Sequence, residues 1–182
     1  MNPWYLPESL EVGGKLYPIN ADFRDVLTVI SHLESSENPD WLRWKIAVAV
    51  FYEGDIPDRH AVEAMQKMSE FIAYENPTEH SGPKLIDWEQ DAQVIISGVN
   101  KVAGKDVRSV PFMHWWSFLS LFHEIGEGQL QTIVSIRDKK NRGKKLEKWE
   151  QEYYRDNKSK IDIKKRYTAE EIEEIENLKK WL

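Results

Sequence analysis

The side chains that could carry out catalysis or bind a metal are few and scattered along this sequence. There is no cysteine, which excludes disulfides and thiolate zinc sites. The segment from His123 to Glu127 begins like the zinc-binding helix of metalloproteases, in which a second histidine follows four residues after the first. Glu127 occupies that position, so the zinc-binding motif is incomplete.

The remaining polar residues do not complete another catalytic motif. There is no nucleophile elbow, no phosphate-binding P-loop and no dinucleotide fingerprint, and no other pair of histidines has metal-ligand spacing. The paired carboxylates Glu170-Glu171 and Glu173-Glu174 lie on a predicted terminal helix, where we interpret them as a solvated face. We therefore predict a protein that is not an enzyme and that uses no cofactor or metal.

Composition is typical of a globular protein. The chain has 182 residues, of which 41% are hydrophobic and 31% charged, which fits one domain or one domain with an extension. No apolar run reaches the roughly 18–20 residues that a membrane span requires. The first residues lack the basic and apolar stretches of a secretory signal. We expect a cytoplasmic protein with no membrane association.

Charge divides the chain into two parts. Residues 137–182 contain 15 basic and 11 acidic residues, whereas residues 1–136 contain 10 basic and 20 acidic residues. We interpret residues 1–136 as a helical body with an N-terminal hairpin and residues 137–182 as a charged helical extension.

The pattern of apolar residues predicts a mainly α fold. Two short β-like runs flank Gly13-Gly14, which indicates a hairpin with a tight turn. Asn20 is a candidate N-cap for the first helix. The second helix, from about Asp40 to Tyr52, is apolar on a wide arc. Further helices are predicted after Pro57, after Asp87, over Phe112–Ile125, over 130–136 and beyond residue 137.

The aromatic segment from Phe112 to Ile125 is predicted to be the central helix. Its apolar side chains cover an arc of about 220° at 100° per residue, and a helix this apolar is buried on most sides. A ligand-binding aromatic box is the less favoured alternative. We interpret His114 as a hydrogen-bonded core residue, because a catalytic base would need a nucleophile or carboxylate partner.

Apolar residues recur through the charged extension, and we predict that they bind a protein partner. They are Leu146, Trp149, Tyr153, Ile161, Ile172, Ile175, Leu178 and Leu182. The last four follow a capping box at Thr168 and form a seam too short for an independent coiled coil, so this seam should dock on the body, on another copy or on a partner. Basic and aromatic residues between 139 and 166 leave nucleic-acid binding as an alternative, which the intervening acidic residues disfavour.

Five short segments, in their order along the chain, resemble a known family. They are Asp22-Phe23-Arg24; Ile56-Pro57-Asp58; Asp87, Asp91 and Ala92; Met113, His114, Trp115, Trp116 and Phe118; and Ile133, Ile136 and Arg137. Together they resemble the bacteriophage gene-product-fifteen family of siphophages that infect Gram-positive bacteria. The resemblance covers roughly residues 10–165, and its most specific marker is the segment Met113–Phe118.

The resemblance implies a non-enzymatic protein of phage tail morphogenesis in the cytoplasm of the host bacterium. Genes of this family typically lie just before the tape-measure gene, where tail assembly chaperones are encoded. Such a chaperone would keep the long helical tape-measure protein soluble and help tail-tube subunits polymerise around it. The alternatives are a structural tail or head–tail connector component of the virion and a nucleic-acid-binding regulator that uses residues 139–166. Self-association is left open.

Overall fold

The computed structural model describes residues 4–74, 82–166 and 171. The chain divides into two compact units, Met1–Glu75 with Lys165–Leu182 and Asn76–Lys164. The described residues contain eight α-helices and one two-stranded antiparallel hairpin, which confirms the predicted fold class. Residue 136, where the sequence analysis ends the body, lies inside a continuous helix.

The first unit begins with the predicted hairpin. Strand β1 (Ser9–Val12) pairs antiparallel with β2 (Lys15–Pro18), so that Leu10 lies opposite Tyr17. Gly13 and Gly14 form the turn with φ angles of 58° and 76°, a region that glycine enters without the steric cost of a Cβ atom. Leu10, Val12 and Tyr17 are buried, so one face of the hairpin packs on the helices of this unit.

Three helices complete the described part of the first unit: α1 (Phe23–Glu34), α2 (Asp40–Phe51) and, after a 3₁₀ turn at Asp58–His60, α3 (Ala61–Ala73). The cap of α1 differs from the prediction. Asp22 is the N-cap and accepts a hydrogen bond from the Arg24 N–H at 3.0 Å. Asn20 instead donates its side-chain amide to the Val50 carbonyl at 2.7 Å, and this long-range bond removes it from the capping position.

The core of the first unit is aromatic at its centre. The rings of Phe51 and Phe71 lie 5.2 Å apart, and Tyr52 packs edge-on against Phe51 at 4.9 Å. The Tyr52 hydroxyl donates to the Ala64 carbonyl at 3.0 Å. Burial raises the pKa of Tyr52 well above its ordinary value, because the ionised phenolate would lose its hydration. Tyr52 is therefore a neutral donor that ties α2 to α3.

The second unit contains α4 (Ala92–Ala103), a 3₁₀ turn at Val107–Ser109, α5 (Trp115–His123), α6 (Gln129–Asn141), α7 (Lys148–Asp156) and α8 (Lys158–Ile161). Between residues 137 and 161, α6, α7 and α8 have the helical character predicted for the charged segment. Residues 167–170 and 172–182 of that segment lie outside the described residues. The helix predicted over 130–136 is longer than expected, because charged residues continue it to Asn141.

The aromatic helix is shorter than predicted. Helix α5 has nine residues and begins after His114, whose Nδ1 atom accepts a hydrogen bond from the Trp116 N–H at 3.1 Å. His114 is 3% exposed, which confirms its prediction as a hydrogen-bonded core residue. Because this imidazole caps the helix, Phe112 lies before it and is 57% exposed. The predicted start at Phe112 was therefore wrong.

Helix α5 nevertheless lies in the core of its unit. Trp115, Trp116 and Phe118 are each at most 5% exposed, while Met113 is partly exposed. The ring of Trp88 lies 5.6 Å from that of Trp115. Helix α5 is thus a core helix of the second unit, whereas the predicted central helix over Phe112–Ile125 was too long.

Candidate partner-binding surface

Three of the apolar side chains predicted to bind a partner pack within their own unit. Ile161 is fully buried in a cluster with Ile133 and Ile136, and the partly buried Leu146 and Tyr153 pack against this cluster. These contacts join α6, α7 with the residues just before it, and α8. A partner could reach Ile161 only if this core opened.

Trp149 differs from those three residues because it is 53% exposed. Its indole N–H donates to the Glu147 carboxylate at 2.9 Å. Ile172, Ile175, Leu178 and Leu182 lie outside the described residues. A partner-binding role for the extension therefore stays a prediction, and it depends on Trp149 and on these four residues.

The first three basic residues after Arg137 are each paired with an acid of the same unit. Lys139 Nζ lies 2.6 Å from Glu150 Oε1, although Glu150 is only 1% exposed. The hydrogen bond to Glu150 raises the pKa of Lys139. Burial opposes ionisation of Glu150, but hydrogen bonds from Lys139 and from the Glu147 N–H hold the pKa of Glu150 below its ordinary value.

The next two basic residues are paired in the same way. Lys140 bonds to Asp162, and its ammonium group lies 3.7 Å from the centre of the Tyr154 ring. Arg142 Nε lies 2.7 Å from Asp138 Oδ1, one helical turn earlier. These partners compete with phosphate for the same cations, which weakens the case for a nucleic-acid surface on this segment.

Arg137 is the centre of a buried polar network. Its guanidinium makes two hydrogen bonds to the Asp91 carboxylate, at 2.6 and 2.9 Å. It also donates to the carbonyls of Leu85 at 2.8 Å, Lys160 at 2.9 Å and Ile161 at 2.6 Å. These five bonds equal the number of N–H donors on a guanidinium. Two of the acceptors are carbonyls at the end of α8, which have no partner within that helix.

The Gln90 side chain also makes hydrogen bonds to residues 160–164. Its amide N–H group donates to the carbonyls of Lys160 and Asp162, each at 3.0 Å, and its carbonyl accepts from the Lys164 N–H at 3.0 Å. Asp87 accepts from the Gln90 N–H at 2.8 Å, so it caps the turn before α4. The predicted helix start at Asp87 was therefore a few residues early.

Two of the five family segments thus meet in a structural network. Asp87, Asp91 and Arg137 come from two of the five segments that carry the resemblance, and their hydrogen bonds fix the turn before α4 against α6 and α8. From the sequence, Arg137 was assigned to a family segment and to the basic extension, but its burial was not predicted. Its place directly after Ile133 and Ile136, on the buried side of an amphipathic helix, was the available signal that the charge is internal.

No chemical centre emerges in the described parts of the chain. Among residues 4–74, 82–166 and 171, no three His, Asp or Glu side chains lie together as metal ligands would. No helix in these ranges combines the length and hydropathy needed to cross a bilayer.

An apolar groove with a volume of about 360 Å³ runs along the first unit. It lies between the outer face of α2 and the first turns of α3. Its apolar lining includes Trp41, Trp44, Val48, Ala49, Ile56 and Met65. Trp41 is 67% exposed, and the other side chains of this set are partly buried or exposed. We call this surface the α2 groove.

The sequence of α2 explains why the groove is apolar. One face of this helix buries Ala47 and Phe51 in the core. Trp44 lies at the edge of that face, and Trp41, Val48 and Ala49 lie further round the helix. A helix that is apolar all round is normally covered on all sides, and α2 is not. The wide apolar arc of α2 was predicted from the sequence, but the open side of this helix was not.

The far end of α2 is held firmly, so the groove is preformed there. The Asn20 N–H donates to the Phe51 carbonyl at 2.8 Å, and the Glu53 N–H donates to the Pro18 carbonyl at 2.9 Å. Ile19 and Tyr52 form a β-bridge at the same place. These bonds fix the helix end against the hairpin and reduce the ordering cost that a bound partner would otherwise meet.

Comparison with known proteins gives one family match. The family model described as Bacteriophage Gp15 protein matches residues 5–163, which include the hairpin, the α2 groove and the Arg137 network. This match confirms the resemblance found in the five sequence segments. No curated protein and no solved structure matches the chain.

Proposed function

The chain belongs to the bacteriophage Gp15 family, and we propose that it is a tail assembly chaperone that binds helical segments of the tape-measure protein in the α2 groove. Family membership makes it a phage structural or morphogenesis protein. The chaperone role, the non-enzymatic action and the site of action in the host cytoplasm are parts of the proposal.

The observation that supports this role is the open apolar face of α2. Amphipathic helices bind by laying their apolar face in such a groove, with side chains at positions i, i+3, i+4 and i+7 as anchors. Trp41 and Trp44 offer large apolar area with two rotatable bonds each, a property that favours binding surfaces. Exposed apolar segments of an unassembled partner are what a chaperone has to cover.

Ile161, Leu146 and Tyr153 pack within their own unit. We therefore propose the α2 groove, and not the extension, as the binding site. Of the described apolar residues first assigned to partner binding, Trp149 alone is more than half exposed. The α2 groove offers a larger apolar lining, and its residues do not have to leave a core before they can bind.

Coexpression with the tape-measure protein of the same phage tests the role. We expect more soluble tape-measure protein and its co-purification with this chain. Ala49→Glu places a charge in the groove without creating a cavity and should abolish both effects. Ala73→Glu makes the same change at an exposed position of α3 outside the groove lining and should leave both intact.

The outcomes separate this role from its alternatives. If the tape-measure protein stays insoluble and does not co-purify, the chaperone role is wrong. A structural virion component would be found by mass spectrometry in purified particles, whereas a chaperone would be absent from them. A nucleic-acid-binding regulator would shift duplex DNA at low salt, and its affinity would fall steeply as salt rises.

A further inference from the structure

We propose that the helix that fits the α2 groove is basic, with lysine or arginine residues beside its apolar stripe. This inference rests on the proposed function and specifies the partner chemistry of the same site. On this inference, the chain binds basic amphipathic segments of the tape-measure protein in preference to acidic amphipathic helices of equal hydropathy.

The edge of the α2 groove contains more acidic than basic side chains. Asp55 and Asp58 line it beside Gly54 and Ile56, and Lys45 is the basic residue of the lining. Asp55 and Asp58 are exposed, so their carboxylates can meet a partner. Asp40 lies near the start of α2 but is already paired with Arg43. Asp55, Asp58 and Lys45 together therefore give the groove lining a net charge of −1.

The rest of the first unit is also acidic. Residues 4–74 contain 12 acidic and 6 basic residues. An acidic surface of this kind attracts a basic helix over about a Debye length and repels an acidic one. Charge at the edge of an apolar interface selects between partners more than it adds affinity, so the apolar lining binds the helix and the carboxylates choose its type.

The dimensions of the groove fit one helix. Helix α2 has 12 residues, which corresponds to a length of about 18 Å. A partner helix lying along it would present about three turns, with anchors spaced one turn apart. The aromatic side chains Trp41 and Trp44 lie one turn apart on α2, which matches that spacing.

Two synthetic helices test the inference on the full chain. Both carry the same leucine stripe over 18 positions, and their flanking positions are all lysine in one and all glutamate in the other. Binding is measured by fluorescence anisotropy of the labelled peptides. We expect the lysine peptide to bind about tenfold or more tightly than the glutamate peptide, with a preference that shrinks as salt rises.

Matched charge reversals show whether the preference belongs to the groove. Asp55→Lys with Asp58→Lys should reverse the preference. Glu8→Lys with Glu11→Lys makes the same change of net charge at two exposed positions in and next to β1, and should leave the preference in place. Circular dichroism confirms that each variant is folded.

The results also distinguish this inference from the proposed function. Equal binding of both peptides, or the same loss of preference in both double variants, overturns the basic partner while the chaperone role survives. Binding of neither peptide, together with tape-measure solubilisation that survives Ala49→Glu, means that the α2 groove is not the site. Failure of the coexpression experiment alone overturns the chaperone role and leaves the peptide preference standing.

Discussion

Arg137 and Asp91 form a buried, two-bond ion pair in which neither side chain is more than 4% exposed. The two residues lie 46 positions apart in the chain. Their pairing ties the N-terminal end of α4 to α6, and the remaining donors of Arg137 extend the connection to the end of α8. A buried charge pair stabilises the fold only when its other hydrogen bonds are also made, as they are here.

Removing one partner of this pair should strongly destabilise the protein. Arg137→Met leaves the Asp91 carboxylate buried without its cation, and we expect a loss of about 3–5 kcal/mol of unfolding free energy. Urea denaturation followed by circular dichroism measures it. The double variant Arg137→Met with Asp91→Leu removes both charges and should lose less than the sum of the single variants. A strictly additive result would contradict the coupling.

Arg108 provides the matched control for that experiment. It pairs with Asp106 at 2.7 Å, but both side chains are more than 40% exposed. The difference between the two arginines is burial, so Arg108→Met should change stability little. An equal loss from both variants would show that the Arg137 network has no special role.

The three hydrogen bonds of the Gln90 side chain should control local opening of residues 160–164. Gln90→Leu removes all three hydrogen bonds to this segment while keeping a side chain of similar size. We expect faster amide hydrogen exchange at Lys164, whose N–H donates to the Gln90 carbonyl. Exchange in the middle of α4 should stay unchanged. Unchanged exchange at Lys164 would mean that Arg137 holds the segment alone.

The contrast between Phe112 and Trp115 shows what could be predicted from the sequence. Helical periodicity located the aromatic helix and its core role, because apolar spacing reports directly on burial. It placed Phe112 within the helix because an apolar side chain adds to the pattern whether it is inside or outside the helix. The actual start depends on one hydrogen bond to His114, and side-chain capping by histidine has no strong sequence signature.

The charged segments were harder to interpret for a different reason. Lys139, Glu150 and Arg137 look like solvated residues in a sequence, since most lysine, glutamate and arginine side chains are exposed. Their burial depends on partners 11 to 46 positions away. The α2 groove escaped prediction in the opposite way, because a wide apolar arc does not reveal which of its sides the rest of the chain covers.

Glu150 should make stability depend on pH in the acidic range. Its pKa is lowered in the folded state, so the contribution is present above the unfolded value of about 4.3 and is lost as pH falls through the lower folded value. Glu150→Gln keeps an acceptor for the Glu147 N–H but removes the charge that Lys139 needs. We expect the unfolding free energy of the variant to fall less steeply between neutral pH and about pH 3. Parallel pH profiles would contradict the role of this pair.

Helix α5 permits a test within one aromatic segment. Trp115 is 1% exposed and Phe112 is 57% exposed, although they are three residues apart in the chain. Trp115→Ala opens a cavity among Trp88 and Phe118 and should cost about 3–5 kcal/mol. Phe112→Ala removes a ring that is mostly in solvent and should cost far less. Thermal unfolding measures both, and equal losses would mean that Phe112 also belongs to the core and that α5 is not limited by His114.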